Sequence, residues 1–495
     1  MNDAFRHTAV AFLLTLLVSG SVHAQDDFRE AFRSFAEFSG RAFDQFSDSA
    51  SQDFLKAVMQ QWQEFTVFEG LERDRMPEPS NPRVAVTPQK TDVMIDIDNV
   101  PVMGSVSWPD PVSGVTVTGQ DAVDRRDIGY DFYGNAVSIS IPAILGSFHP
   151  DGIGERNVAA FWQKLDALDC TSITAACLDY RKRLGLNDWG VFQFVTTMAR
   201  AVFPENRNGE QAIFTVYILN EAGLMGKVAR VGDSLTCLFA SMQPIYSRKY
   251  VEVGTYRYYL ADDAAVANTV YTYQVDASDR LHPFNLNLQH QLMLQTRPDS
   301  YVTRHSNALG VDLEIPLGSH VLDFYASYPQ TDVNVYATAV PQHLFIEALA
   351  GAIGPGLEGK SQKEALDLLL NFMQIDFSYK TDMEQFGYEK PFFCEENFRY
   401  AFNDCEDRSI LFCMLVKRLL GLRCLLLEYP NHVNCAVALD EPALGSVVES
   451  GAVKGIYVKR GDSKYYVCDP TYIGSTVGMS GVGKSTKPQK VWILE

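Results

Sequence analysis

The chain has no surplus of positive charge. Across 495 residues, 42 Lys and Arg stand against 61 Asp and Glu, a formal net charge of −19. Gripping a phosphate backbone requires a positive field that displaces counterions, so nucleic acid is excluded as an expected partner. No run reaches the roughly 20 apolar residues of a membrane-spanning helix, which excludes a stable span once the N-terminal segment is removed. The nine cysteines include no Cys-x-x-Cys pair, so a structural zinc site is not expected. They are also too sparse for a small disulfide-stapled scaffold. An apolar content of 46% is ordinary for globular protein, and at ~100–200 residues per domain the length suggests two to four domains.

What is present begins with MNDAFRHTAVAFLLTLLVSGSVHAQDD. Weak positive charge at Arg6 and His7, an apolar run from Ala9 to Val18 and a small-residue exit at Val22 and Ala24 read as a secretory signal over residues 1–24. Left uncleaved, the same stretch is an anchor. The expected location is the periplasm, the cell surface or the medium of a bacterium, and no cysteine near the exit suggests a lipid anchor. An odd number of cysteines leaves at least one unpaired within the chain. Cys170 and Cys177 are close enough in sequence for a short-loop disulfide.

Residues 25–75 repeat aromatics at helical spacing: Phe28, Phe32, Phe35, Phe38, Phe43, Phe46, Phe54, Trp62 and Phe65. This is expected to be an amphipathic helical segment. Its polar face carries Asp and Glu rather than Lys and Arg, which favours packing over a membrane surface. Residues 76–82 (MPEPSNP) form a linker. Alternation over 83–150 (DVMIDI, GVTVTG) predicts a β-rich domain. Residues 151–265 alternate helix and strand. Residues 266–345 return to alternation (TVYTYQV, HVLDFYASY, VNVYATAV), which suggests a β-sandwich. Residues 346–495 complete an α+β chain.

A faint internal echo runs through it. AIFTVYILNEAGLMGKVARVGDSLTCLFA and ILFCMLVKRLLGLRCLLLEYPNHVNCAVA align without gaps from Ala212 and Ile410. Gly223 then faces Gly421, Cys237 faces Cys435, and further on Asp262 mirrors Asp469. Arg207 stands where Cys405 would, and Ser234 where His432 would. If the echo is real, only the second unit is equipped for chemistry.

That equipment lies in NDCEDRSILFCMLVKRLLGLRCLLLEYPNHVNCAVAL, Asn403–Leu439. Ile410–Leu420 is almost continuously apolar, so the helix is expected to be buried. Asn403 and Asp404 are good N-caps, which puts Cys405 in the first turn. There the helix dipole and unpaired N–H groups favour a thiolate and can stabilise an oxyanion. Gly421 stops the helix, His432 opens the second of two strands, and Asp469 closes a later hairpin. Adjacent strands can bring His432 and Asp469 together, with histidine as base and aspartate as its orienter.

The order Cys, His, Asp in DCEDRSILFCMLVKRLLGL, NHVNCAV and CDPTY resembles the transglutaminase-like superfamily of papain-type folds. The upstream FSYKTDMEQFGYEKPFFCEENFRYAFNDCEDR resembles exported bacterial transglutaminase-like cysteine peptidases. The likeness is specific over about residues 370–480. It implies a papain-like C-terminal domain, a degenerate second copy upstream, and a protein or peptide substrate. Cys405 would be nucleophile, His432 base and Asp469 orienter, with acyl transfer from an amide through a thioester. Water as acceptor makes a peptidase or amidase, and an amine makes a transglutaminase. A relic scaffold serving as a surface or assembly protein is the non-catalytic alternative. Val433 and Asn434 depart from the family, many of whose members carry an aromatic just after the histidine.

Several neighbours have readings of their own. Gln385 and Asn403 are the upstream candidates for an oxyanion donor. Asp404, Glu406 and Asp407 could ligate Ca²⁺ through oxygen, as related exported peptidases do with acids flanking the cysteine, or could merely cap the helix and pair with Arg408. No other cofactor is implied. A zinc site from Cys405, His432, Cys435 and Cys468 is disfavoured, because residues 432 and 435 point to opposite faces of a strand. GMSGVGKS, Gly478–Ser485, matches the phosphate-binding loop pattern, but the few residues after it include Pro488 and a strand-like KVWIL. A nucleotide is therefore not expected, since the loop needs a following helix.

Overall fold

The computed structural model describes residues 55, 57–59, 61–72, 91–104, 124–168, 170–204, 206–262, 268–274, 280–294, 297–439, 453–483 and 486–494. The expected signal, most of the Phe-rich segment, the 76–82 linker and the GVTVTG stretch lie outside the described residues. The fold is mixed α+β, built on two separate sheets with helices packed against them. Among the described residues no helix is long and apolar enough to cross a membrane.

The first sheet has six antiparallel strands in the order Gln63–Thr66, Thr269–Thr272, Gly226–Val231, Ser234–Ala240, Tyr256–Leu260, Tyr250–Val253. The second has seven, in the order Val93–Ile95, Ile456–Arg460, Ser463–Cys468, His432–Ala438, Cys424–Tyr429, Lys490–Leu494, Val102–Met103. Its two outermost strands pair in parallel and come from far upstream.

Setting the edge strands aside, the two sheets share one plan. A buried helix (Asn208–Glu221 or Cys405–Leu420) feeds a hairpin, the hairpin's second strand pairs with the second strand of the next hairpin, and a last strand returns beside the first. One constant step in numbering also carries the register across. Gly226 opposite Phe239 becomes Cys424 opposite Val437, Val228 opposite Cys237 becomes Leu426 opposite Cys435, and Val231 opposite Ser234 becomes Tyr429 opposite His432. Gly223 and Gly421 lie just past the two helix ends with φ of 85° and 67°, a region that favours glycine. Ala261 donates its N–H to the Cys237 carbonyl (2.9 Å) just as Cys468 pairs with Cys435, so Asp262 and Asp469 follow equivalent positions.

Several expectations are corrected. Trp62 and Phe65, counted on a helix, precede and occupy the edge strand Gln63–Thr66. That segment pairs with Thr269–Thr272, and the β-branched Thr66 and Val67 suit it. The described strands of the β-rich stretch 83–150 go to two different places. Val93–Ile95 and Val102–Met103 complete the second sheet, while the hairpin Arg125–Phe132/Asn135–Pro142 packs on helices Asp188–Val202 and Thr171–Leu184. The sandwich expected over 266–345 is also absent from the described residues. Thr269–Thr272 belongs to the first sheet, Ser300–Ser306 pairs only with Val311–Leu317, and Ser319–Ala326 and Val333–Ala337 are helices. In HVLDFYASY the buried Val321, Phe324, Tyr325 and Tyr328 recur at three and four residues, and helical periodicity prevails over the apparent alternation. Cys170 and Cys177 are both free. Cys170 caps the helix that contains Cys177. Two turns of helix separate them by ~10 Å, beyond disulfide reach.

Candidate active site

The helix Cys405–Leu420 is buried along nearly its whole length between the second sheet and helices Gln362–Ile375 and Val333–Ala337. Its start is fixed by the Asp404 N–H donating to Asp407 Oδ2 (3.2 Å). Its first turn is tied to the histidine strand by the Ser409 hydroxyl donating to the Val433 carbonyl (3.1 Å). Cys405 is thus the first helical residue, beside the strand that opens at His432.

His432 Nε2 lies 3.2 and 3.1 Å from the two carboxylate oxygens of Asp469. Asp469 is fully buried and well supported. Oδ1 accepts from the Thr471 hydroxyl (2.8 Å) and N–H (3.3 Å), and Oδ2 accepts from the Gly481 N–H (2.9 Å). Burial alone would raise its pKa, but the His432 ring and these donors outweigh burial and hold it well below the usual carboxylate range. For His432, burial lowers the pKa, and the Asp469 charge and hydrogen bond more than offset it, so the ring titrates above 6.5. Gln374, from Gln362–Ile375, cradles the Asp469 turn. Its Nε2 donates to the Asp469 carbonyl (3.3 Å) and the Ser475 hydroxyl (3.0 Å), and its Oε1 accepts from the Gly474 N–H (2.8 Å).

The thiol departs from expectation. Cys405 is only 1% exposed. Sγ donates to Glu406 Oε2 (3.2 Å) and accepts from the Val433 N–H. The described contacts include no thiol–imidazole hydrogen bond. The helix start was expected to lower the thiol pKa. Instead burial, followed by the Glu406 and Asp404 charges, pushes it well above its ordinary value, and the Val433 N–H opposes this only in part. Burial and the two flanking carboxylates thus both disfavour the thiolate.

Those carboxylates belong to a cage. Oxygens of Asp382, Glu389, Asp404 and Glu406, all buried, lie within 4.8 Å of one another. Neither oxygen of Asp404 and not Oδ1 of Asp382 receives a hydrogen-bond donor. Burial and neighbouring carboxylates push Asp382 up to about 10 and Asp404 well above the carboxylate range. So many buried acids cannot all ionise without protons or a cation. Oxygen-only donors around acceptors that lack hydrogens fit a hard cation such as Ca²⁺. Asp407 is not part of the cage, because its carboxylate accepts from the Phe392 N–H (2.8 Å) and the Asp404 N–H. Arg408 also turns away from the acids, donating to Asn403 Oδ1 (2.9 Å) and the Phe377 carbonyl (2.7 Å). Asp382 and Glu389 were missed in the sequence. Asp382 is placed by the Lys390 N–H donating to its Oδ2 (2.6 Å), a contact across a loop that no local pattern announces.

The oxyanion candidates are engaged elsewhere. Asn403 Nδ2 donates to Asn397 Oδ1 (2.8 Å), and Gln385 Nε2 donates to the Phe402 carbonyl (3.3 Å). The phosphate-loop lookalike serves the dyad. Its Gly481 holds Asp469, its Ser480 hydroxyl accepts from Asn434 Nδ2 (3.1 Å), and the strand Lys490–Leu494 follows it. Ser485 and the residue before it lie outside the described residues.

Fold and site together define a mixed α+β protein with a buried cysteine at a helix start, a His–Asp pair at the adjoining sheet and a carboxylate cage beside the cysteine. No family model, no curated protein and no solved structure matches the chain.

Proposed function

We propose that the protein is an exported, cysteine-dependent acyl-transfer enzyme acting on amide bonds of a protein or peptide, most simply a peptidase or amidase. The observation that carries this reading is the His432–Asp469 pair at 3.1–3.2 Å, set on the strand against which the first turn of the Cys405 helix packs. With Nε2 committed to Asp469, the other ring nitrogen is the one to take the thiol proton. The sulfur then adds to the carbonyl, the ring returns the proton to the leaving amine, and water opens the thioester. An amine in place of water gives transamidation by the same residues.

Asp382, Glu389, Asp404 and Glu406 would hold a calcium ion. Bound there, the ion would supply positive charge beside a sulfur whose proton is otherwise retained through burial and the Glu406 and Asp404 charges. Glu406 would then be released from its hydrogen bond to the thiol. The test is labelling with an electrophilic active-site thiol probe, with and without calcium. Labelling of Cys405 in calcium is expected, and Cys405→Ala should abolish both labelling and turnover, the latter by at least on the order of 10⁴-fold. The burial of the thiol favours one rival, a relic scaffold that binds without catalysis. Absence of labelling at every calcium concentration would establish that rival.

A further inference from the structure

Addition of a thiolate to an amide carbonyl puts negative charge on the carbonyl oxygen, and that oxygen is best served by donors already in place before it forms. One is at hand. Cys405 is the first helical residue, so its N–H has no acceptor within the helix. The side chains expected to supply a second, Gln385 and Asn403, are engaged elsewhere. Another donor stands beside the helix start. Tyr379 lies on the short strand Ser378–Tyr379, which pairs in parallel with Phe402–Asn403 and sets Tyr379 opposite Asn403. Paired strands run about 4.8 Å apart, and the two residues from Asn403 to Cys405 span at most about 7 Å. Arg408 fixes the ring there. Its guanidinium carbon lies 5.3 Å from the Tyr379 ring centroid. The same guanidinium donates to the Phe377 carbonyl (2.7 Å) and to Asn403 Oδ1 (2.9 Å), one on each side of the pairing. Arg408 and Cys405 are three apart on one helix and so share a face. Tyr379 is half-buried, and its hydroxyl is neither sealed in the core nor hydrogen-bonded to any of the described residues. Burial, then the Cys405 charge, raises the pKa of the phenol, so the hydroxyl keeps its proton and can donate it.

We propose that the Tyr379 hydroxyl is the second oxyanion donor of the site. The inference rests on the acyl-transfer reading. The Cys405 thiolate adds to the carbonyl carbon, a C–S bond forms, and the carbonyl π pair moves onto oxygen. That oxygen accepts from the Cys405 N–H and the Tyr379 hydroxyl, and no proton is transferred to it. The pair then returns, the C=O bond re-forms, the C–N bond breaks, and the amine leaves with the proton that His432 carries. Tyr379 thus touches the reacting oxygen and leaves formation of the nucleophile to His432. The Arg408 cation against the ring holds the phenol in one orientation before substrate arrives, so donation requires no reorganisation.

The test compares a reaction that forms an oxyanion with one that does not. The full chain in calcium is treated with p-nitrophenyl acetate, whose acyl transfer to sulfur passes through an oxyanion, and separately with iodoacetamide, whose alkylation of sulfur does not. Both rates at Cys405 are followed by peptide mass spectrometry, with Cys405→Ala as background. Tyr379→Phe keeps the ring over Arg408 and removes only the hydroxyl. It is expected to slow acetylation by about 10²-fold and to leave alkylation and the melting temperature unchanged. Gln385→Leu should change neither rate. Undiminished acetylation of Tyr379→Phe would overturn the proposal. A parallel fall in alkylation would overturn it too, because Tyr379 would then act on the thiol rather than on the oxyanion. Slower acetylation in Gln385→Leu, with none in Tyr379→Phe, would assign the donor to Gln385 instead. An unsubstituted chain that is neither acetylated nor alkylated at Cys405 would overturn the acyl-transfer reading itself, and the role of Tyr379 with it.

Discussion

At the residue scale, Asp469 determines how His432 behaves. Asp469→Asn keeps the shape and removes the charge, so burial should then dominate and the ring pKa should fall by about 1–3 units. An NMR titration of the His432 ring measures this. The signs also fix the dependence of stability on pH. The His432 contribution is complete below its unfolded pKa of about 6.5 and is lost as pH rises through the higher folded value. The Asp469 contribution is complete above about 4 and is lost as pH falls through the lower folded value. The difference in melting temperature between the unsubstituted chain and Asp469→Asn should be widest at about pH 4–6.5 and narrow above that. Asp404 tests the cage. Calcium in 100-fold excess over its dissociation constant should raise the melting temperature by on the order of 5 °C. Asp404→Asn should remove that response, because it takes one anionic oxygen donor out of the cage. Cys405, His432 and Asp469 were legible in the sequence because each sits in a short motif at an element boundary. Asp382 and Glu389 were not, since only the folding of the 382–396 loop turns them inward. The thiol's raised pKa was not legible either, because its largest cause is burial, which only the tertiary fold imposes.

At the element scale, the clearest signals were those with one physical solution. A continuous apolar run closed by glycine gives a buried helix and nothing else, and Cys405–Leu420 with Gly421 follows that rule. Gly421 is exposed, with φ of 67°, a left-handed conformation that a residue with a Cβ adopts at a cost. Gly421→Ala should cost about 1–2 kcal/mol, measured by denaturant unfolding, with the slope unchanged. An undiminished midpoint would mean that the backbone relaxes there without strain. Ser319–Ala326 shows the opposite case. Its apolar residues satisfy a two-residue and a 3.6-residue period over a short window, and only packing of Phe324 and Tyr325 against Tyr133 and Phe393 selects the helix. The edge strand Val93–Ile95 was legible as a strand in DVMIDI, but neither it nor Val102–Met103 could be read as a member of a distant sheet, because their partners lie more than three hundred residues onward.

At the scale of the whole molecule, two sheets of common plan share one core, and an aromatic cluster lies where their helices meet. Phe393 stacks on Tyr325 (4.2 Å between ring centroids) and meets Tyr328 and Tyr336 at 5.1 and 4.8 Å. The Tyr328 hydroxyl accepts from Asn187 Nδ2 (2.7 Å), and Asn187 caps the helix Asp188–Val202 of the first unit through the Gly190 N–H (3.0 Å). In that first unit, Arg207 stands at the position equivalent to Cys405. It donates to the Gly146 and Phe148 carbonyls and pairs with Glu210, so this unit's helix start is occupied by the chain's own backbone. The part that carries Cys405 therefore packs on the other through Phe393, which is neighbour to the Phe392 N–H that holds Asp407. Phe393→Ala should cost about 3–5 kcal/mol, the usual penalty for emptying a buried aromatic site. Because the junction is shared, hydrogen exchange should report loss of protection in strands of both sheets rather than in the second alone. The same substitution should weaken the calcium-dependent rise in melting temperature, since the loop that carries Glu389 is anchored at this ring. Loss of protection confined to Cys424–Ala438 would mean instead that the two units fold independently and that the junction only joins them.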